Sequence, residues 1–164
     1  MKSLLITVLF LYSFLTMAND CLKSKIADLV NESTPNQYYV YDSELEDIMI
    51  LAEVNREDYL YFYIKAKLED GTRSKNFRGK DQYLKAVKYF EGKFKGIKDR
   101  WIDGDNLEEF QRYIDPPFNY SVEEAIKQTW SAKMAMSLGY NAIKVVDSAK
   151  RGNKYTSIEI VYLK

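Results

Sequence analysis

Thr129 and Lys133 are the residues whose side chains best suit chemistry on a phosphate ester. They are four positions apart, so a continuous helix would align the hydroxyl and the amine on one face. Such a lysine can neutralise a phosphate, and a Lys-Thr-Tyr-Arg set can cleave RNA without histidine by orienting the 2′-hydroxyl and stabilising the charged transition state. We therefore select this pair as candidate catalytic residues. The alternative is that both belong to an ordinary amphipathic helix.

A second candidate group alternates along a predicted strand at residues 59–68. One side of this strand is apolar, and the other carries Tyr59, Tyr61, Tyr63, Lys65 and Lys67. Aromatic rings beside basic side chains can stack nucleic-acid bases and hold phosphates. The basic stretch that follows adds Arg73 and Arg78, so the candidate nucleic-acid-binding residues are Tyr61, Tyr63, Lys65, Lys67, Arg73 and Arg78. The alternative is structural, because tyrosine is common in strands.

The absent residue types narrow the chemistry. Histidine is missing and Cys21 is the only cysteine, which excludes histidine-dependent triads, zinc sites rich in histidine or cysteine, and an intrachain disulfide. The densest oxygen cluster, residues 103–109, has Leu107 where a calcium loop requires a ligand, and no phosphate-binding glycine loop is present. The sequence therefore predicts no metal and no cofactor. It leaves open whether the protein is an enzyme.

The order of residues between Trp101 and Tyr140 resembles a known family. It reads W-x-x-G-D-N-L-x-x-F from Trp101, A-x-x-x-T-W-x-x-K ending at Lys133, and L-G-Y ending at Tyr140, before a closing hairpin. Residues 97–163 are thereby similar to the C-terminal tip domains of bacterial polymorphic, contact-dependent toxins. Several of those tips belong to the small metal-independent ribonucleases that include barnase and colicin-type tRNA-cleaving enzymes. The resemblance implies an effector that acts on nucleic acid.

The N-terminus predicts export. Lys2 precedes an uncharged apolar run from Leu4 to Met17, and the small residues Thr16 and Ala18 suit signal-peptidase cleavage before Asn19. A membrane-spanning helix needs about 20 apolar residues, which is longer than this run. We expect a signal peptide at residues 1–18 and one domain at residues 19–164, periplasmic or secreted, with no membrane association after cleavage.

The elements that must position the candidate residues indicate an α+β fold. Strands are predicted at residues 36–41, 48–54, 59–68, 142–146 and 156–163. Helices are predicted at residues 20–31, 81–91, 105–114 and 122–138, with capping boxes at Asp105/Glu108 and Ser121/Glu124. The last helix would bury a stripe that includes Ile126, Trp130 and Met134. The predicted class is a single α+β domain with a mostly antiparallel sheet and two to four helices.

Two functions remain open from the sequence. The first is an exported bacterial effector that acts on nucleic acid, with a metal-independent ribonuclease as its sharpest form and RNA or another acidic ligand as partner. The second is a non-enzymatic periplasmic or secreted binding protein of the inhibitor, immunity or adaptor type, with a cognate protein as partner.

Overall fold

The computed structural model describes residues 29–31, 33–42, 47–65, 71, 77–102 and 104–164. In that part of the chain, seven strands form one sheet and four helices accompany it. The protein is therefore a single α+β domain with a mostly antiparallel sheet, which confirms the predicted fold class.

The sheet has the strand order β1-β2-β3-β4-β5-β7-β6. Its strands are β1 (Leu29–Asn31), β2 (Gln37–Asp42), β3 (Asp47–Val54), β4 (Tyr59–Ile64), β5 (Gly96–Trp101), β6 (Ala142–Arg151) and β7 (Lys154–Leu163). Every neighbouring pair is antiparallel except β4 and β5. Because β4 and β5 are parallel, their carboxyl ends lie at the same edge of the sheet.

The helices are α1 (Gly79–Tyr89), α2 (Gly104–Ile114), α3 (Val122–Gln128) and α4 (Trp130–Ser137). The helix α1 connects the parallel pair, and the other three lie between β5 and β6 in the chain. Ser121 begins α3 with the predicted capping box, since its side chain and that of Glu124 each accept a hydrogen bond from the other's backbone amide.

The core lies between the helices and one face of the sheet. Alternation along β4 directs Leu60 and Phe62 inward, and the Phe62 ring stacks on Tyr83 of α1 with 4.3 Å between centroids. Further along the sheet, Trp101 of β5 packs near Phe110 of α2. The predicted alternation of β4 is thus confirmed for residues 59–64, while residues 66–68 lie outside the described residues.

Two local predictions are wrong, and one strand was missed. Residues 29–31 form β1 rather than the end of a helix, because they pair with β2. The helix α2 begins at Gly104, so Asp105 lies in its first turn instead of capping it. The strand β5 was not predicted at all, since Lys98, Asp99 and Arg100 interrupt the apolar pattern that marks a strand.

The predicted helix at residues 122–138 is broken at Thr129. This residue has φ −70° and ψ 155°, an extended conformation that ends α3 and begins α4. Because of this break, the apolar residues at intervals of four no longer share one face. Ile126 and Met134 are buried, whereas Trp130 is 38% exposed. The expectation that Trp130 is a core residue is therefore wrong.

The predicted signal peptide and the helix predicted up to residue 28 lie outside the described residues. Among the residues that are described, no helix is both long enough and apolar enough to cross a membrane.

Candidate functional site

Tyr61 and Tyr63 lie on the sheet face opposite the helices, which we call the tyrosine face. Tyr63 is opposite Leu51 of β3, which is opposite Tyr39 of β2, and residues opposite each other on neighbouring strands share a face. In the next row, Tyr61 is adjacent to Lys98 of β5. The tyrosine face therefore places aromatic rings at intervals of about 7 Å along a strand and about 10 Å across two strands.

Tyr63 is the most accessible ring on this face, with 49% of its surface exposed. Tyr61 is half-buried, and burial, helped by the negative charge of Asp99, raises the pKa of its hydroxyl. The Tyr63 ring therefore has a surface on which a base can stack.

Lys98 lies at the margin of a shallow depression of about 340 Å³ beside the tyrosine face. Lys95 and Lys144 line the same depression, together with Glu57. Lys98 Nζ forms ion pairs with Glu159 at 2.9 Å and Glu57 at 3.0 Å, and these contacts raise its pKa. Glu57 and Glu159 therefore offset the positive charge of Lys98. Lys95 and Lys144 are then the cations in the depression that are best placed for a phosphate.

The basic residues predicted to bind nucleic acid are spread over several places. Lys65 follows β4 and forms an ion pair with Asp47, whose pKa is lowered by this hydrogen bond. Arg78 is exposed immediately before α1. Lys67 and Arg73 lie outside the described residues.

The candidate catalytic residues Thr129 and Lys133 differ sharply in exposure. Thr129 is fully buried, and its hydroxyl donates a hydrogen bond to the Ile126 carbonyl at 2.8 Å and accepts one from the Ala132 amide at 3.4 Å. Lys133 is exposed on the first turn of α4. The hydroxyl and the amine therefore do not face a common solvent-filled site.

Lys133 and Arg78 belong to a part of the surface that the sheet separates from the tyrosine face. The start of α1 meets the start of α4 through Trp130, whose ring would lie 3.7 Å from a Cβ at Gly79. Trp130 also contacts Tyr83 edge to face, with 5.8 Å between ring centroids. The structure thus brings Arg78 near the helix that carries Lys133, and it places Tyr61 and Tyr63 on the opposite side of the sheet.

A buried polar cluster lies beneath this helical surface. We call it the Asp99 cluster, and it consists of Tyr83 of α1, Asp99 of β5, Ser131 of α4 and Tyr162 of β7. Asp99 Oδ2 and the three hydroxyl groups make no hydrogen bond of good geometry within the described part of the chain, although the Ser131 and Tyr162 hydroxyls lie near enough to Asp99 to stabilise its charge. Buried polar groups without partners are uncommon and cost about 1–3 kcal/mol each.

Burial raises the pKa of Asp99, Tyr83 and Tyr162 in the Asp99 cluster. Burial raises the pKa of the Asp99 carboxyl, while interactions with Ser131, Tyr162 and Trp101 offset part of this rise. Burial and the nearby carboxylate raise the pKa of Tyr83 and Tyr162 well above the usual value. Perturbed groups of this kind concentrate at functional sites. Sequence patterns gave no signal for the cluster, because its members come from four separated elements.

Within the described residues, no group of three or more acidic or cysteine side chains is arranged to hold a metal ion. Comparison of the chain with known protein families, with curated proteins and with solved structures finds no match in any of the three.

Proposed function

We propose that this protein is an exported nucleic-acid-binding protein that holds single-stranded RNA on its tyrosine face. The observation that carries the proposal is the half-exposed ring of Tyr63 beside Tyr61, on a sheet face where the described helices do not pack. Single-stranded RNA is the preferred ligand because its unstacked bases can lie on aromatic side chains. The predicted signal at residues 1–18 supports export.

The lysines beside the tyrosines supply the second part of the interface. Lys95 and Lys144 line the depression that adjoins the row of Tyr61. Cations at this spacing can follow a phosphate backbone while the rings stack on bases. Such contacts release counterions, so binding should weaken as the salt concentration rises.

The test is a titration of the purified protein with a fluorescent single-stranded RNA of about ten nucleotides at low ionic strength. Tyr63→Ala should weaken binding by about 5- to 100-fold, because stacking on one ring contributes about 1–3 kcal/mol. Tyr120→Ala is the matched control, since Tyr120 is an exposed tyrosine outside the sheet. Equal effects of the two substitutions, or no salt-dependent binding, would contradict the proposal and favour the protein-binding alternative.

An enzymatic form of the proposal would cut RNA at Lys133, on the helical side of the sheet and away from the RNA held on the tyrosine face. Lys133 is the exposed member of the candidate pair, so Lys133→Met should remove any metal-independent cleavage without weakening RNA binding at Tyr63. Analysis of the bound RNA in the presence of a chelator distinguishes the two forms. Intact RNA would limit the function to binding.

A further inference from the structure

The strand β6 is exposed along almost its whole length. It forms one edge of the described sheet, with β7 as its neighbour, and every residue except Ile143 is exposed. Val145 and Val146 lie at its centre, with 37% and 49% of their surfaces exposed. A ten-residue edge strand with apolar residues at its centre is a template for pairing with another strand.

A shift in register at the centre of β6 determines where its charges point. Lys144 is opposite Val161, and Asp147 is opposite Glu159, because the pairing shifts between Val145 and Asp147. Val161 and Glu159 are two residues apart on β7 and therefore face the same side. Lys144 and Asp147 consequently share one side of the sheet although they are three residues apart. It is the side of the tyrosine face, since Lys98 is also opposite Val161.

This arrangement makes β6 complementary to itself. In an antiparallel pair related by a two-fold axis perpendicular to the sheet, residues opposite each other must lie on the same face. Placing Lys144 opposite Asp147 of a second copy meets this condition and forms two identical ion pairs around the axis. The same register pairs Ile143 with Ser148 and Ala142 with Ala149, each pair on one face of the sheet, and it leaves the bulge at Val146 beside the axis.

A β-bulge commonly protects an edge strand from pairing with other strands. The charges on β6 must therefore determine which strand it pairs with. A second copy in this register presents the opposite charge at both Lys144 and Asp147, so the charge pattern favours an identical strand. Asp147 is also held at the edge, because its Oδ1 accepts a hydrogen bond from the Ser148 amide at 2.8 Å.

We propose that β6 is a homodimer interface in which two copies of the chain pair antiparallel, with Lys144 opposite Asp147 and Ala142 opposite Ala149. The two sheets then join into one, and the two-fold axis places both tyrosine faces on the same side. The dimer would therefore present one continuous surface with two sets of exposed tyrosines. This inference does not depend on RNA binding.

Sedimentation velocity of the purified protein, over concentrations up to about 100 µM, tests the proposal. Wild-type protein should dimerise, and Lys144→Asp or Asp147→Lys should each raise the dimer dissociation constant by about tenfold or more, since both ion pairs become like-charge pairs. The double variant Lys144→Asp/Asp147→Lys should restore dimerisation. The control Lys85→Asp changes an exposed lysine on α1 and should have no effect. A monomeric wild type, or a double variant that stays as weak as the single variants, overturns the proposal.

Cross-linking tests the register directly. In a Cys21→Ser background, Ala142→Cys mixed with Ala149→Cys should form an interchain disulfide on mild oxidation, because these positions face each other across the interface. Either variant alone should not, since each cysteine is then about 20 Å from its copy along the paired strands. A disulfide within a single variant and none in the mixture would contradict this register.

Discussion

The backbone amide of Lys133 donates a hydrogen bond to the Thr129 carbonyl, with 3.1 Å between the two atoms. The two residues are thus linked by the first turn of α4 rather than by their side chains. The Thr129 side chain is occupied in joining two helices, because its hydroxyl bonds to Ile126 of α3 and to Ala132 of α4. Its measurable role should therefore be in stability.

Thr129→Val keeps the shape of the side chain and removes both hydrogen bonds. We expect the free energy of unfolding to fall by about 1–2 kcal/mol, as when a helix cap is removed at a buried position. Urea denaturation measures this change, and Thr129→Ser is the control because it retains the hydroxyl. Unchanged stability in Thr129→Val would contradict the capping role and return Thr129 to the candidate catalytic residues.

Trp130→Ala should have a smaller effect than truncation of a core ring. Trp130 is 38% exposed and its ring contacts Tyr83, so we expect a loss of about 1–2 kcal/mol in the free energy of unfolding. Phe110→Ala, at a fully buried ring, should cost about 3–5 kcal/mol. Thermal and urea denaturation of both variants compare the two sites. Equal losses would show that Trp130 packs as a core residue after all.

The sequence predicted those elements in which the apolar residues recur at the period of the observed strand or helix. Leu60 and Phe62 alternate with exposed tyrosines, and Ser121 with Glu124 marks the start of α3. Periodicity failed at Thr129 because apolar residues continue at intervals of four across the break, and the local capping bond decides the backbone there.

The candidate site was only partly predictable. Tyr61 and Tyr63 are neighbours on one strand, so their common face follows from the period of two. The Asp99 cluster depends on contacts between four distant elements, and an aspartate inside a strand gives no reason to expect the core. The parallel pairing of β4 with β5 brings Asp99 into the core. This pairing, too, depends on contacts between elements that are distant in the sequence.

The exported form should begin at or near Asn19. The prediction rests on Thr16 and Ala18, which provide the small residues that a signal peptidase requires after an apolar run. Intact-mass measurement of the exported protein determines its new N-terminus. Ala18→Arg should block the cut, whereas Asn19→Gln should leave it unchanged. A secreted form that retains residues 4–17 would contradict the prediction.

Asp99 should make the stability of the protein depend on pH in the direction opposite to a salt-bridged carboxylate. Burial raises its pKa above the ordinary 3.8, so the folded state binds this proton more tightly than the unfolded state. The contribution of Asp99 is therefore most favourable below the unfolded pKa and is lost as the pH rises through the folded pKa.

Asp99→Asn replaces the carboxylate with a group of similar shape that carries no charge. At pH 7 we expect the variant to be more stable than the wild type, on the order of 1 kcal/mol, with the difference shrinking as the pH falls toward that of the unfolded carboxyl. Urea denaturation across this pH range measures the difference, and Asp81→Asn, at an exposed carboxylate on α1, serves as the control. If Asp99→Asn were less stable than the wild type at pH 7, and this loss disappeared as the pH fell, Asp99 would be ionised and stabilising within its cluster.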